Sequence, residues 1–174
     1  MRRLLWLALA ILVVGGTARA QETPAAEVSV GYSYLRLGAS NGINQNGGSV
    51  SAAFNVNHWF GVVGDVGGYH ASPFGVGLDT YTFLVGPRLS CRTGSRVTPF
   101  AQVLVGGAHL TAGVEGESAS TTAFAFSAGG GVDLRISPRI AFRPQVDYVG
   151  MRSNGSTLNC TRASASVVFR FGGK

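Results

Sequence analysis

From about residue 27 to residue 171 the chain alternates apolar and polar side chains with a period of two, and no stretch of helical period competes with it. The last segment is the plainest. Ala163, Ala165, Val167, Phe169 and Phe171 fall on one face; Arg162, Ser164, Ser166, Val168 and Arg170 fall on the other. Successive side chains of a strand point to opposite faces, so this pattern predicts β-strands with two unlike faces. Eight segments can be placed, over 27–37, 48–57, 59–70, 79–91, 97–111, 121–136, 139–151 and 160–171. Each is about as long as a tilted strand must be to cross a bilayer.

The connections alternate in length. Asn57-His58, Arg92 to Arg96 and Ser137-Pro138 are tight, whereas 38–47, 71–78, 112–120 and 152–159 are longer. Short turns at one end and long loops at the other, with both chain ends on the turn side, fit a membrane barrel with periplasmic turns. The first long connection, Ala39 to Gly48, is rich in Asn and Gly and is expected to be mobile.

Alternation alone does not say which face is outside. A lipocalin-type barrel keeps its apolar face inward; a membrane barrel does the reverse. The polar face here is built mostly of small residues, such as Ser49, Ser51, Ala53 and Asn55, or Ala123, Ala125, Ser127, Gly129 and Gly131. Small side chains suit the cramped interior of an eight-stranded barrel. Charges of both signs sit on that face near mid-strand: Asp65, Arg88, Asp133, Arg135, Arg143, Asp147 and Arg170. These seven are expected to form a polar network that fills the lumen. The opposite face is continuously apolar and aromatic, as in Val28, Val30, Tyr32 and Tyr34, or Tyr81, Phe83 and Val85. Charged residues are only 13% of the chain, against about 25% in soluble domains. The expected fold is therefore an all-β, closed, eight-stranded antiparallel up-and-down barrel that spans a membrane.

The first twenty residues read as an export signal. Arg2 and Arg3 precede an apolar run from Leu4 to Val14, and Ala18-Arg19-Ala20 fits the small-x-small cleavage rule. The expected division is signal peptide 1–20, short tether 21–26 and barrel 27–174, with the mature chain starting at Gln21. The formal net charge is +6, and loss of Arg2, Arg3 and Arg19 lowers it to +3. No basic cluster suggests nucleic acid.

Several segments in order resemble the eight-stranded outer-membrane barrel domain, similar to the transmembrane part of OmpA, to OmpX and to single-domain barrels of acidobacterial type. They include Val30 to Arg36 (VGYSYLR), Asn57 to Gly61 (NHWFG), Asp65 to Tyr69 (DVGGY), Tyr81 to Arg88 (YTFLVGPR), Thr98 to His109 (TPFAQVLVGGAH), Gly129 to Asp133 (GGGVD), Arg143 to Tyr148 (RPQVDY) and Val168 to Gly172 (VFRFG). The resemblance implies a location in the bacterial outer membrane, among lipid and lipopolysaccharide. It also implies recognition of the last strand by the barrel-assembly machinery, through Phe169 and Phe171, although Gly172-Gly173-Lys174 follow the usual terminal aromatic. A monomer without a cofactor or bound metal is expected.

The candidate activities are few. His70-Ala71-Ser72 is the spacing seen in outer-membrane lipid A deacylases, where a histidine activates a serine. Spacing places no acidic residue to orient His70, so the chain is expected not to be an enzyme. Asp79, Glu115 and Glu117 read as solvated loop charges. Cys91 and Cys160 fall at opposite ends of their strands, too far apart for a disulfide. The leading reading is a structural or surface-interaction barrel with a plugged lumen. The alternatives are a narrow porin and, behind it, a lipid A-modifying enzyme using His70 and Ser72.

Overall fold

The computed structural model describes residues 23–38, 42–73, 77–93, 96–114, 117–153 and 155–172. The expected signal and its cleavage site lie outside these residues. Eight strands form one closed barrel in chain order. They are β1 (Ala26–Leu37), β2 (Ile43–Asn55), β3 (Phe60–Ala71), β4 (Gly77–Ser90), β5 (Val97–Val114), β6 (Glu117–Arg135), β7 (Ile140–Ser153) and β8 (Ser156–Phe171). Each pairs antiparallel with its neighbours, and β8 returns to β1 in a register that sets Phe171 opposite Ala26. Closure leaves no open strand edge, which a bilayer would not tolerate.

Local chemistry fixes the turns at the end where β1 begins and β8 finishes, called here the turn end. In the β2–β3 turn the Asn57 carboxamide oxygen accepts from the backbone N–H groups of Trp59 and Phe60, at 3.0 and 2.8 Å. In the β6–β7 turn the Ser137 hydroxyl accepts from Ile140 N–H at 3.1 Å. Such side-chain acceptors let a tight reversal satisfy its own backbone donors.

At the other end, the loop end, the strands run further than alternation predicted. β2 starts at Ile43 rather than 48, β6 at Glu117 rather than 121, and β8 at Ser156 rather than 160. The Asn- and Gly-rich stretch expected to be a mobile loop is largely ladder: Asn44, Asn46 and Gly48 lie opposite Arg36, Tyr34 and Tyr32. Beyond the hydrocarbon both faces of a strand meet water, so side-chain alternation fades while backbone pairing continues. Alternation thus reports membrane thickness rather than strand length.

The outer wall is apolar. Phe54, Phe83, Val103, Phe124 and Val146 stand 55–66% exposed. Between the collar described next and the turn end, its described residues carry no Asp, Glu, Lys or Arg. Hydrogen-bonded outward pairs bound this band near the loop end: Tyr32 with Asn46, His70 with Asp79, His109 with Thr122 and Tyr148 with Asn159. On the same wall the Phe126 ring covers Gly150, where an added Cβ would strike it, and leans on Tyr148 at 5.9 Å between centroids.

A charge placed inside the band tests this boundary. Val85, 53% exposed and opposite Val105 and Gly64, sits well below the collar. Val85→Arg is expected to lower stability in vesicles by about 2–4 kcal/mol. Thr111→Arg, level with Asp79, should cost under about 1 kcal/mol. Urea titration of the refolded barrel checks both, and equal costs at the two sites would contradict the assigned band.

Candidate functional site: the barrel lumen

The inward positions of the eight strands fill the lumen in layers. Nearest the turn end is an ionic layer centred on Glu27, which is 2% exposed. Its carboxylate accepts from Arg92 Nη2 and Arg143 Nη2, both at 2.9 Å. Arg88 and Arg170 approach it at 3.8 and 3.9 Å. Asp133 takes a two-pronged contact from Arg143 and a further bond from Arg170 at 3.2 Å. Such fork-on-carboxylate pairing is the strong form of the charge-assisted hydrogen bond. Arg88 also donates twice to the Gln102 carbonyl oxygen, at 3.0 and 2.8 Å. The Phe100 ring lies against both guanidinium groups, 4.5 Å from Arg88 and 4.8 Å from Arg143.

The middle layer is a triad of charge. Arg162 bridges Asp65 and Asp147, donating to Asp147 Oδ2 from Nε at 3.0 Å. Gln145 donates to the same Asp147 oxygen at 2.7 Å. Gly129 faces Asp147 from β6, and a Cβ there would collide with that carboxylate. A small residue at 129 is therefore what admits the ion pair.

The loop-end part of the lumen is different. Leu35, Leu37, Leu104, Val149, Met151 and Cys160 are buried together, with Leu78 and Leu110 packed against them. The lumen, expected to be largely plugged by polar side chains, is ionic toward the turn end and mainly apolar toward the loop end, where Gln45 and Thr80 are also buried. The reason is visible in the strands themselves. β5 carries Leu104 and Ala108 inward and β7 carries Val149 and Met151, so the inward face turns apolar toward the loop end.

Of the seven residues predicted for the network, Asp65, Arg88, Asp133, Arg143, Asp147 and Arg170 are drawn together in these two layers. Arg135 is not. It is half-buried two residues beyond Asp133 at the end of β6, with Pro138 and Arg139 around the turn-end mouth. The hub Glu27 and the bridge Arg162 were left out of that network, although Arg162 falls on the polar face of the last strand and Glu27 has the parity opposite to the outward Val28 and Val30. Arg92 lies in a turn, where parity carries no signal.

Cys91 and Cys160 are both free, the first exposed past the end of β4 and the second buried near the loop end. A second correction concerns His70. Spacing placed no acid beside it, and Asp79 was read as a solvated loop charge. Asp79 belongs to β4 and stands directly opposite His70 in the β3–β4 ladder. Its Oδ1 lies 2.7 Å from His70 Nδ1. Glu115 falls outside the described residues, and Glu117 begins β6.

Comparison with known proteins agrees with this architecture. A family model described as the outer membrane protein beta-barrel domain matches residues 6–171. Among solved structures, the Neisserial surface protein A is similar at 16% identity and a TM-score of 0.74, over 84% of this chain and 97% of that one. Ail, the attachment invasion locus protein of Yersinia pestis, is similar at 16% identity and a TM-score of 0.58, over 84% of this chain and all of the other. The N-terminal barrel domain of Pseudomonas aeruginosa OprF is similar at 13% identity and a TM-score of 0.54, again over 84% of this chain and 100% of that one. None of the curated proteins matches.

Proposed function

Since the chain belongs to the outer membrane protein β-barrel domain family, we propose that it is exported by its N-terminal signal and inserted in the bacterial outer membrane as a closed, surface-contacting barrel rather than an open pore. The observation that carries this reading is the layered lumen. Arg88, Arg143 and Arg162 are each about 2% exposed in the interior. Their carboxylate partners come from four different strands, so the ionic layers tie the wall across its width. The layer above them is mainly apolar, with only the uncharged Gln45 and Thr80 buried beside its leucines, and it offers a hydrated ion no charged partner among the described residues. Eight strands leave little bore to begin with.

The surface role follows from where the structure is generous. β5 and β6 form the longest hairpin and project polar residues such as Thr111, Ser120 and Thr121 beyond the collar. The hairpin ends are the parts of such a barrel that meet the outside. At the turn end, Phe169 and Phe171 face outward on the last strand, 40% and 54% exposed. That position supports their reading by the assembly machinery.

Conductance separates a closed barrel from a narrow porin. The refolded chain, its folding checked by a heat-dependent gel shift, is expected to give no discrete steps in a planar bilayer. Regular single-channel steps from wild-type protein would overturn the closed reading and favour the porin.

A further inference from the structure

Outside the lumen, on the wall at the loop end, three side chains form a chain of two hydrogen bonds. Asp79 Oδ1 lies 2.7 Å from His70 Nδ1, and His70 Nε2 lies 3.0 Å from Ser72 Oγ. We propose that His70, Ser72 and Asp79 form a serine-hydrolase site that cleaves fatty acyl esters of lipids in the outer leaflet. The proposal shares only the membrane placement with the function given above.

The order of the contacts carries the chemistry. A carboxylate on Nδ1 holds the proton there, which leaves Nε2 as the acceptor for the serine hydroxyl. A plain cross-strand ion pair accounts for the first contact but supplies no hydroxyl on the second nitrogen. The fold sets the group firmly. His70 and Asp79 face each other in the ladder between β3 and β4, and Ser72 lies two residues on, with the same outward parity as His70. His70 and Asp79 keep 60% and 41% of their side chains exposed, so a substrate can reach them.

Position on the wall names the substrate class. Below His70 and Asp79 come Gly68 and Tyr81, then Val66 and Phe83, as successive outward pairs of the same two strands. The absent side chain at Gly68 leaves a shallow track beside the Tyr81 ring. An acyl chain lying along this apolar track brings its ester to the collar, where Ser72 stands. A soluble ester has no such guide.

In the reaction, Ser72 Oγ attacks the ester carbonyl carbon as its proton passes to His70 Nε2. The tetrahedral intermediate collapses, the C–O bond breaks, and the alcohol leaves with that proton. The acyl group is now an ester of Ser72. Water attacks it, giving a proton to Nε2; the fatty acid departs, and Oγ regains the proton. The sum is ester plus water to acid plus alcohol, with Asp79 as the positioning residue throughout.

The test uses the full chain, refolded in micelles and in two kinds of vesicle, one of phospholipid and one containing lipopolysaccharide. A fluorophosphonate probe is expected to label Ser72, identified by peptide mapping. Fatty acid release is expected from at least one vesicle type, and the type names the lipid. Ser72→Ala should lose both signals. His70→Gln should slow release about 100-fold or more. Asp79→Asn should slow it at least about tenfold, and Asp79→Glu should restore part of that loss. All variants lie on the outer wall and should keep the heat-dependent gel shift, so loss of folding is read separately. Absence of release from both vesicle types overturns the proposal, as does release that persists in Ser72→Ala.

Discussion

Replacing Glu27 by alanine is expected to destabilise the folded barrel by about 3–5 kcal/mol, the range for removing one partner from a buried ion cluster. The residue is small in the sequence and large in the structure. Its two oxygens hold Arg92 and Arg143 and stand near Arg88 and Arg170. Without it, Asp133 alone remains in that layer to balance four guanidinium groups. Arg88 and Arg143, fully buried behind a wall that faces lipid, cannot retreat to water. Glu27→Gln keeps the size and should still lose most of the stability, since the amide carries no charge. The midpoint of urea unfolding from vesicles measures both; an unchanged midpoint for Glu27→Ala would refute the hub role.

Arg162→Met should cost a similar amount, about 3–5 kcal/mol, by the opposite imbalance. Asp65 and Asp147 both rely on this guanidinium, and Asp147 is fully buried. Left alone, the two carboxylates repel each other in a low-dielectric interior. The sharper expectation is the triple variant Arg162→Met, Asp65→Asn, Asp147→Asn. With no unpaired charge left, it should recover a large share of the loss, because an apolar or neutral layer often matches a buried ion triad in stability. If the triple variant were no better than Arg162→Met alone, the cost would lie in lost packing and not in charge. Fold retention in each case is read from the heat-dependent gel shift.

The two layers also explain why reading charges by type was incomplete. Asp65, Asp133 and Asp147 stood out because they interrupt small or apolar residues in mid-strand. Glu27 sits at the start of β1, where a carboxylate looks like an end residue. Only closure of β8 onto β1, with Arg170 opposite Glu27, brings it beneath Arg143 and Arg170. Arg92 reaches in from a turn, anchored by His58 O at 3.0 Å. Nothing in residue spacing encodes that reach.

His70 and Asp79 teach the same lesson from the outer wall. They are nine residues apart across a loop, a separation with no meaning until the β3–β4 register is known. One step of slippage would put Asp79 on the inner face. The sequence by itself determined the strands, their two faces, the even count and the side that meets lipid, because a period of two and the cost of charge in hydrocarbon act residue by residue. Only the tertiary structure decided which residues share a level: which arginine meets which carboxylate, where the lumen turns from ionic to apolar, and that a serine, a histidine and an aspartate line up at the collar. Level depends on register and on the stagger imposed by closing the barrel, and those are properties of strand pairs and of the whole ring, not of any one segment.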